Sequence, residues 1–129
     1  MTSRGATVLV VEDNPLNLEL ASELLRLSGY RVVQARTAEE GIQLARAERP
    51  NLILLDVRLP GMDGLAAVRA LKRDAETRHI PTIAMTAQAM KGDEEAALAA
   101  GFDAYVTKPI DTRAFPHTVA RWLAPEQKS

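Results

Sequence analysis

Val8-Leu9-Val10-Val11-Glu12-Asp13-Asn14-Pro15 puts four apolar residues, two acids and a helix-start signal in one stretch. The apolar run carries no polar alternation, so it reads as a strand buried on both faces. Asn14 then offers an N-cap and Pro15 a proline at the first helical position, so a helix follows at once. A buried strand running straight into a helix is the opening of a strand–helix–strand unit.

Working outward, short apolar runs return at 7–11, 31–35, 51–55, 81–85 and 104–107. The first and third, rich in Val, Ile and Leu, suit central strands. Arg31-Val32-Val33-Gln34-Ala35 is more polar and suits an edge. Helical segments separate the runs. Leu16, Leu20, Leu24 and Leu27 recur at helical spacing, and Gly29 offers a left-handed stop. Thr37 and Glu40 form a capping box for a helix that ends before Pro50. Asp63 caps a third helix over 64–73, Gly101 closes a fourth over 88–100, and Asp111 opens a fifth over 111–123. Alternation of this kind implies parallel strands, right-handed crossovers and helices on both faces. The fold class is α/β, a single doubly wound (βα)5 domain.

Composition narrows the function. The 129 residues are 47% hydrophobic and 26% charged, with a formal net charge of −1. That is ordinary for a globular protein, and it lacks the basic field that direct nucleic-acid binding needs. Cys is absent, which rules out disulfides and thiolate metal sites and fits a reducing cytosol. The start has no apolar stretch of the signal-peptide kind and no run approaches membrane-spanning length, so no membrane insertion is expected. Residues 1–6 and 124–129 read as short tails.

The chemistry gathers where the apolar runs stop. Glu12 and Asp13 follow the first run, Asp56 follows Leu52-Ile53-Leu54-Leu55, Thr86 ends Ile83-Ala84-Met85, and Lys108 follows Ala104-Tyr105-Val106-Thr107. In a doubly wound sheet, ligands bind outside the carboxyl ends of the strands. Two carboxylates about 4 Å apart repel by roughly 4 kcal/mol at an effective dielectric near 20. Three converging acids therefore hold protons or recruit a cation. With oxygen donors only, the fitting ion is hard: Mg²⁺, or Mn²⁺ in its place. A carboxylate such as Asp56 beside a metal can accept a phosphoryl group, and Lys108 with Thr86 would complete a phosphoryl cradle. Taken singly, each residue also has an ordinary reading: acids beside a helix start, a strand-end hydroxyl on backbone, a lysine at a turn. Their conjunction at one end of different strands favours a shared site. His79 and His117 have no partner at metal-ligand spacing and are expected to face solvent. Met85, Leu98 and Phe102 read as core, and Phe115 and Trp122 as packing the last helix onto the sheet.

Glu12-Asp13, Asp56, Thr86 and Lys108-Pro109, in this order and spacing, resemble the receiver domain of two-component response regulators from residue 7 to about 123. The Val-Glu-Asp-Asn-Pro and Met-Thr-Ala contexts are most similar to single-domain regulators of the DivK type and to receivers of hybrid histidine kinases. The resemblance implies a flavodoxin-like sheet in strand order 2-1-3-4-5. It implies that Asp56 is the phosphoacceptor, served by a phosphohistidine on a histidine kinase or histidine phosphotransfer protein. Asp13, Asp56 and the backbone carbonyl of Arg58 would hold Mg²⁺, with Glu12 acting through a water. Lys108 and Thr86 would contact phosphoryl oxygens, the amides of Arg58 and Ala87 would complete the cradle, and Lys108-Pro109 would be cis.

The family's switch carries over by position. Thr86 would move toward the phosphoryl group, Tyr105 would turn inward, and the face made by the fourth helix, fifth strand and fifth helix would meet a downstream protein target. Arg58 and Gln88 occupy the positions that tune phosphoryl lifetime. Such a domain is a phosphoacceptor switch, not an enzyme, beyond self-catalysed phosphotransfer and slow autodephosphorylation, and it is cytoplasmic. As a natural full-length chain it would be a stand-alone receiver; as a fragment it would belong to a hybrid histidine kinase or longer regulator. An aspartate-nucleophile phosphatase of the haloacid-dehalogenase type would need a second aspartate two residues after the nucleophile, where this chain has Arg58.

Overall fold

The computed structural model describes residues 5–59, 61–87 and 91–123. Strands and helices alternate as β1 (Thr7–Val11), α1 (Pro15–Leu27), β2 (Arg31–Ala35), α2 (Ala38–Glu48), β3 (Leu52–Asp56), α3 (Gly64–Arg73), β4 (Thr82–Thr86), α4 (Lys91–Ala100), β5 (Ala104–Thr107) and α5 (Ala114–Leu123). All strand pairs are parallel, in the order β2-β1-β3-β4-β5. The expected doubly wound sheet is the one found, with β1 and β3 interior and β2 at an edge.

Side-chain alternation divides the core between the two faces. Leu9, Val11, Ile53, Leu55 and Ala84 pack with Ala38 and Ala45 of α2, Ala67, Val68 and Leu71 of α3, and Ala97 and Ala100 of α4. Val8, Val10, Leu52, Leu54, Ile83 and Met85 pack with Leu18, Ala21 and Leu25 of α1 and Phe115 and Val119 of α5. Every residue of β3 and β4 is buried, and burying one such aliphatic side chain stabilises the fold by about 1.5–3 kcal/mol. This layering leaves the strand ends as the free edges where polar residues can gather.

The punctuation residues act largely as read. Asn14 Oδ1 accepts the N–H groups of Leu16 and Asn17 at 2.9 and 3.1 Å. Thr37 Oγ1 accepts from the Glu40 N–H at 3.1 Å, while the Glu40 carboxylate reaches back to the Arg36 N–H at 3.0 Å, one residue earlier than an ordinary capping box. Gly29 has φ +95, the left-handed conformation expected of a helix stop.

Several boundaries and packing roles differ from expectation. β3 and β4 both begin and end one residue later than expected, at Leu52–Asp56 and Thr82–Thr86, so Asp56 and Thr86 are the last residues of their strands. α5 begins at Ala114; Asp111 caps the turn before it, accepting from Arg113 and Ala114 N–H at 2.9 and 3.1 Å. The predicted start of the fourth helix, 88–90, lies outside the described residues. The leucine series that marks α1 is not its buried face: Leu16 and Leu27 are both 81% exposed, Leu20 is exposed, and Leu24 alone of the four packs partly on the core. Leu18, Ala21, Ser22 and Leu25 are buried instead, because the small Ala21 and Ser22 let the helix approach the sheet. Leu98 and Trp122, expected inside, are exposed; Phe115, Val119 and partly Leu123 fill the seats under α5. Met85, Phe102 and Phe115 are buried and His79 and His117 exposed, as expected. Within the expected N-terminal tail, Gly5 N–H donates to the Gly29 carbonyl and the Ala6 carbonyl accepts from Arg31. The remainder of both expected tails, 1–4 and 124–129, lies outside the described residues. Among the described residues, no helix is long and apolar enough to cross a membrane.

Candidate functional site

Register brings the acids together. Val11 of β1 pairs with Leu55 of β3, so Glu12 follows at the level of Asp56. Asp56 pairs with Met85, one residue before Thr86, and the Lys108 N–H donates to the Thr86 carbonyl at 2.8 Å. Four strand ends thus place Glu12, Asp13, Asp56, Thr86 and Lys108 at one edge. Glu12, Asp56 and Thr86 are buried, while Asp13 lies more open to solvent.

Lys108 Nζ bridges two of the acids, 3.1 Å from Glu12 Oε1 and 3.2 Å from Asp56 Oδ2. Burial alone would lower the lysine's pKa, but the Asp56 and Glu12 carboxylates outweigh it and hold the ammonium above its ordinary value. Glu12 is shifted upward, chiefly by burial and further by repulsion from Asp56; the Asn14 N–H, donating to Oε2 at 3.1 Å, works the other way. The buried acids are thus partly neutralised by one ammonium.

Oxygens of Glu12, Asp13 and Asp56 all lie within 4.8 Å of one another, which fits a hard divalent cation taking one or two carboxylates and keeping waters. The Arg58 N–H donates to Asp56 Oδ1 at 3.0 Å, so the loop after β3 already folds over the carboxylate. Arg58 and Ala87 are exposed at the site's rim, and the Lys108–Pro109 peptide is cis, as the resemblance implied. A groove lined by Val57, Arg58, Leu65, Thr86 and Ala96 runs beside the site. Tyr105 is half-buried, and its hydroxyl bonds to the Glu94 carboxylate of α4, which raises the phenol's pKa. Gln88 lies outside the described residues.

Three features are not singled out by the reading of the sequence. One is the Glu94–Tyr105 bond. Another is Arg36, which donates to the Asp13 carbonyl at 3.3 Å and steadies the β1–α1 loop. The third is Gly64, whose backbone lies against Asp56. A glycine at the first helical position, where a better helix former is usual, was the one available hint.

With the acids gathered at the carboxyl edge of a 2-1-3-4-5 sheet, fold and site together define a signal-receiver domain. The chain belongs to the response regulator receiver domain family, whose model matches residues 8–120. It is 47% identical over 117 residues to the polar-differentiation response regulator DivK of Brucella anthropi, covering 91% of this chain and 95% of that relative. It is also similar to the receiver domain of sensor histidine kinase PA1611 from Pseudomonas aeruginosa PAO1, a structure with a magnesium ion coordinated in its active site cleft. There the TM-score is 0.86 at 37% identity, over 92% of this chain and 98% of that one. The chemotaxis response regulator CheY4 of Vibrio cholerae matches with a TM-score of 0.87 at 25% identity, covering 92% of this chain and 98% of its own.

Proposed function

We propose that this chain is a phosphorylation-dependent switch in which Asp56 accepts a phosphoryl group from a phosphohistidine of a histidine kinase or histidine phosphotransfer protein. The observation that carries the reading is a buried Asp56 carboxylate held between the acidic pair Glu12-Asp13 and the Lys108 ammonium. An Asp56 oxygen attacks phosphorus, an O–P bond forms, the N–P bond of the donor breaks, and the departing imidazole takes a proton from solvent. Mg²⁺, or Mn²⁺ in its place, supplies charge neutralisation to the transferring group when bound. Asp13, Asp56 and the Arg58 carbonyl would hold it, with Glu12 acting through a water. Lys108 exchanges its carboxylate partner for a phosphoryl oxygen, Thr86 contacts another, and the Arg58 and Ala87 amides complete the cradle. The side chain of Arg58, with Gln88, sets access of hydrolytic water.

Thr86 then moves toward the phosphoryl group and Tyr105 turns inward, changing the α4-β5-α5 face presented to a downstream protein. Leu98 and Trp122, exposed on α4 and α5, and a groove formed by Ala104, Tyr105, Thr118, Arg121 and Trp122 make that face suited to protein contact. The receiver unit spans 7–123 and works in the cytoplasm. Incubation with Mg²⁺ and acetyl phosphate, followed by intact mass measurement, tests the acceptor. One base-labile phosphoryl group is expected, absent in Asp56→Asn; labelling that persists in the variant would overturn the assignment.

A further inference from the structure

We propose that Gly64 is a positioning residue for the metal and phosphoryl site, because only a residue without a side chain lets α3 start directly against the backbone of Asp56. The inference rests on the function proposed above, in which Asp56 and the Arg58 carbonyl are metal ligands.

The contacts are with backbone. A Cβ built on Gly64 would stand 2.3 Å from the Asp56 carbonyl oxygen, 2.6 Å from Val57 Cα and 3.0 Å from the Asp56 carbonyl carbon. No side-chain rotation relieves such contacts, so any other residue must push α3 and the end of β3 apart. The φ angles separate this glycine from others in the chain. Gly61 and Gly101 sit at φ +77 and +126, where glycine serves the backbone conformation, whereas Gly64 is absent from the left-handed set. Its bare Cα serves proximity.

What that proximity holds is the loop carrying the site. The Gly64 N–H donates to the Val57 carbonyl at 2.8 Å, closing the loop that begins at Val57 back onto its own origin. Within it, the Arg58 N–H grips Asp56 Oδ1 at 3.0 Å, so the Asp56 carboxylate and the Arg58 peptide are oriented together. Asp63 anchors the other side of the seat, accepting from the Ala66 N–H at 2.9 Å through its carboxylate. Moving α3 outward therefore shifts two ligand groups at once. Partners that orient metal ligands typically alter affinity by about 10- to 100-fold when removed.

The test compares the full chain with Gly64→Ala and Gly101→Ala, measuring Mg²⁺ affinity by titration calorimetry and stability by urea unfolding. Gly101 lies before β5, at the far end of the sheet, where a Cβ would meet Lys72 Cγ at 3.1 Å. Alanine there strains the fold and leaves Mg²⁺ affinity unchanged. Gly64→Ala is expected to weaken Mg²⁺ binding about 10- to 100-fold and to speed hydrogen exchange at the Arg58 amide. Should Gly64→Ala fail to fold, Asp63→Ala loosens the same seat and is expected to weaken Mg²⁺ binding severalfold. Wild-type affinity in the folded Gly64→Ala protein, or in Asp63→Ala where that serves, would overturn the role of Gly64 alone. A wild-type protein that binds no Mg²⁺ would overturn the proposed function, and this inference with it.

Discussion

The Lys108 ammonium stands 3.2 Å from the Asp56 carboxylate, although 52 residues separate them along the chain. The same ammonium is the counter-charge for buried Glu12. Lys108→Ala would remove the ammonium that, among the described residues, pairs with both buried acids. Breaking a buried pair from one side costs about 3–5 kcal/mol, less where the stranded acid takes up a proton. At neutral pH the metal-free variant is expected to lose about 3 kcal/mol, with the deficit shrinking in acid. Urea unfolding at two pH values measures it. Phosphoryl uptake at Asp56 should survive while the switch weakens; equal urea midpoints for both proteins would contradict the pairing.

Glu12 sets a second, opposite dependence. Its folded-state pKa lies above the ordinary 4.5, chiefly through burial and further through Asp56. A raised folded pKa contributes stability that is complete below 4.5 and lost as pH rises through the folded value. Glu12→Gln lacks that loss. In chelator, its stability relative to wild type should therefore climb from pH 4.5 toward neutrality. Parallel stability curves for the two proteins would refute this.

Tyr105 offers a spectroscopic handle. The chain has two tyrosines, and both titrate above the ordinary 10.0: Tyr105 through its bond to Glu94, and Tyr30 through burial. In Glu94→Gln, alkaline absorbance titration should show one phenol moving back toward 10.0 and the other unmoved. An unchanged titration would mean that Glu94 does not hold the Tyr105 hydroxyl.

The two faces of α1 can be weighed against each other. Leu25 is 1% exposed and Leu16 81% exposed. Leu25→Ala is expected to cost about 2–5 kcal/mol, and Leu16→Ala to stay within about 0.5 kcal/mol. Thermal or urea unfolding separates them, and a costly Leu16→Ala would show that the outer leucines carry the fold.

Much of the site was readable because strand ends are marked locally. An unbroken apolar run ending in a charged residue states both burial and its limit, which is why Glu12, Asp56 and Lys108 stood out from the linear chain. Strand starts were less visible: Asn51 and Pro81 adjoin apolar runs but lie outside β3 and β4. Periodicity misled on α1, since Leu16-Leu20-Leu24-Leu27 and Leu18-Ala21-Leu25 both satisfy helical spacing. The face laid on the sheet combines Leu18 and Leu25 with the small Ala21 and Ser22.

The order of apolar runs, caps and turn residues determined by itself an alternating α/β chain with acids at the carboxyl ends of its strands, because those signals arise within a few residues of backbone. Tertiary structure alone decided which acids Lys108 pairs with, that Glu94 holds the Tyr105 hydroxyl, and that α3 starts against the Asp56 carbonyl. These depend on distances between elements far apart in the chain, and packing sets such distances where no local pattern records them.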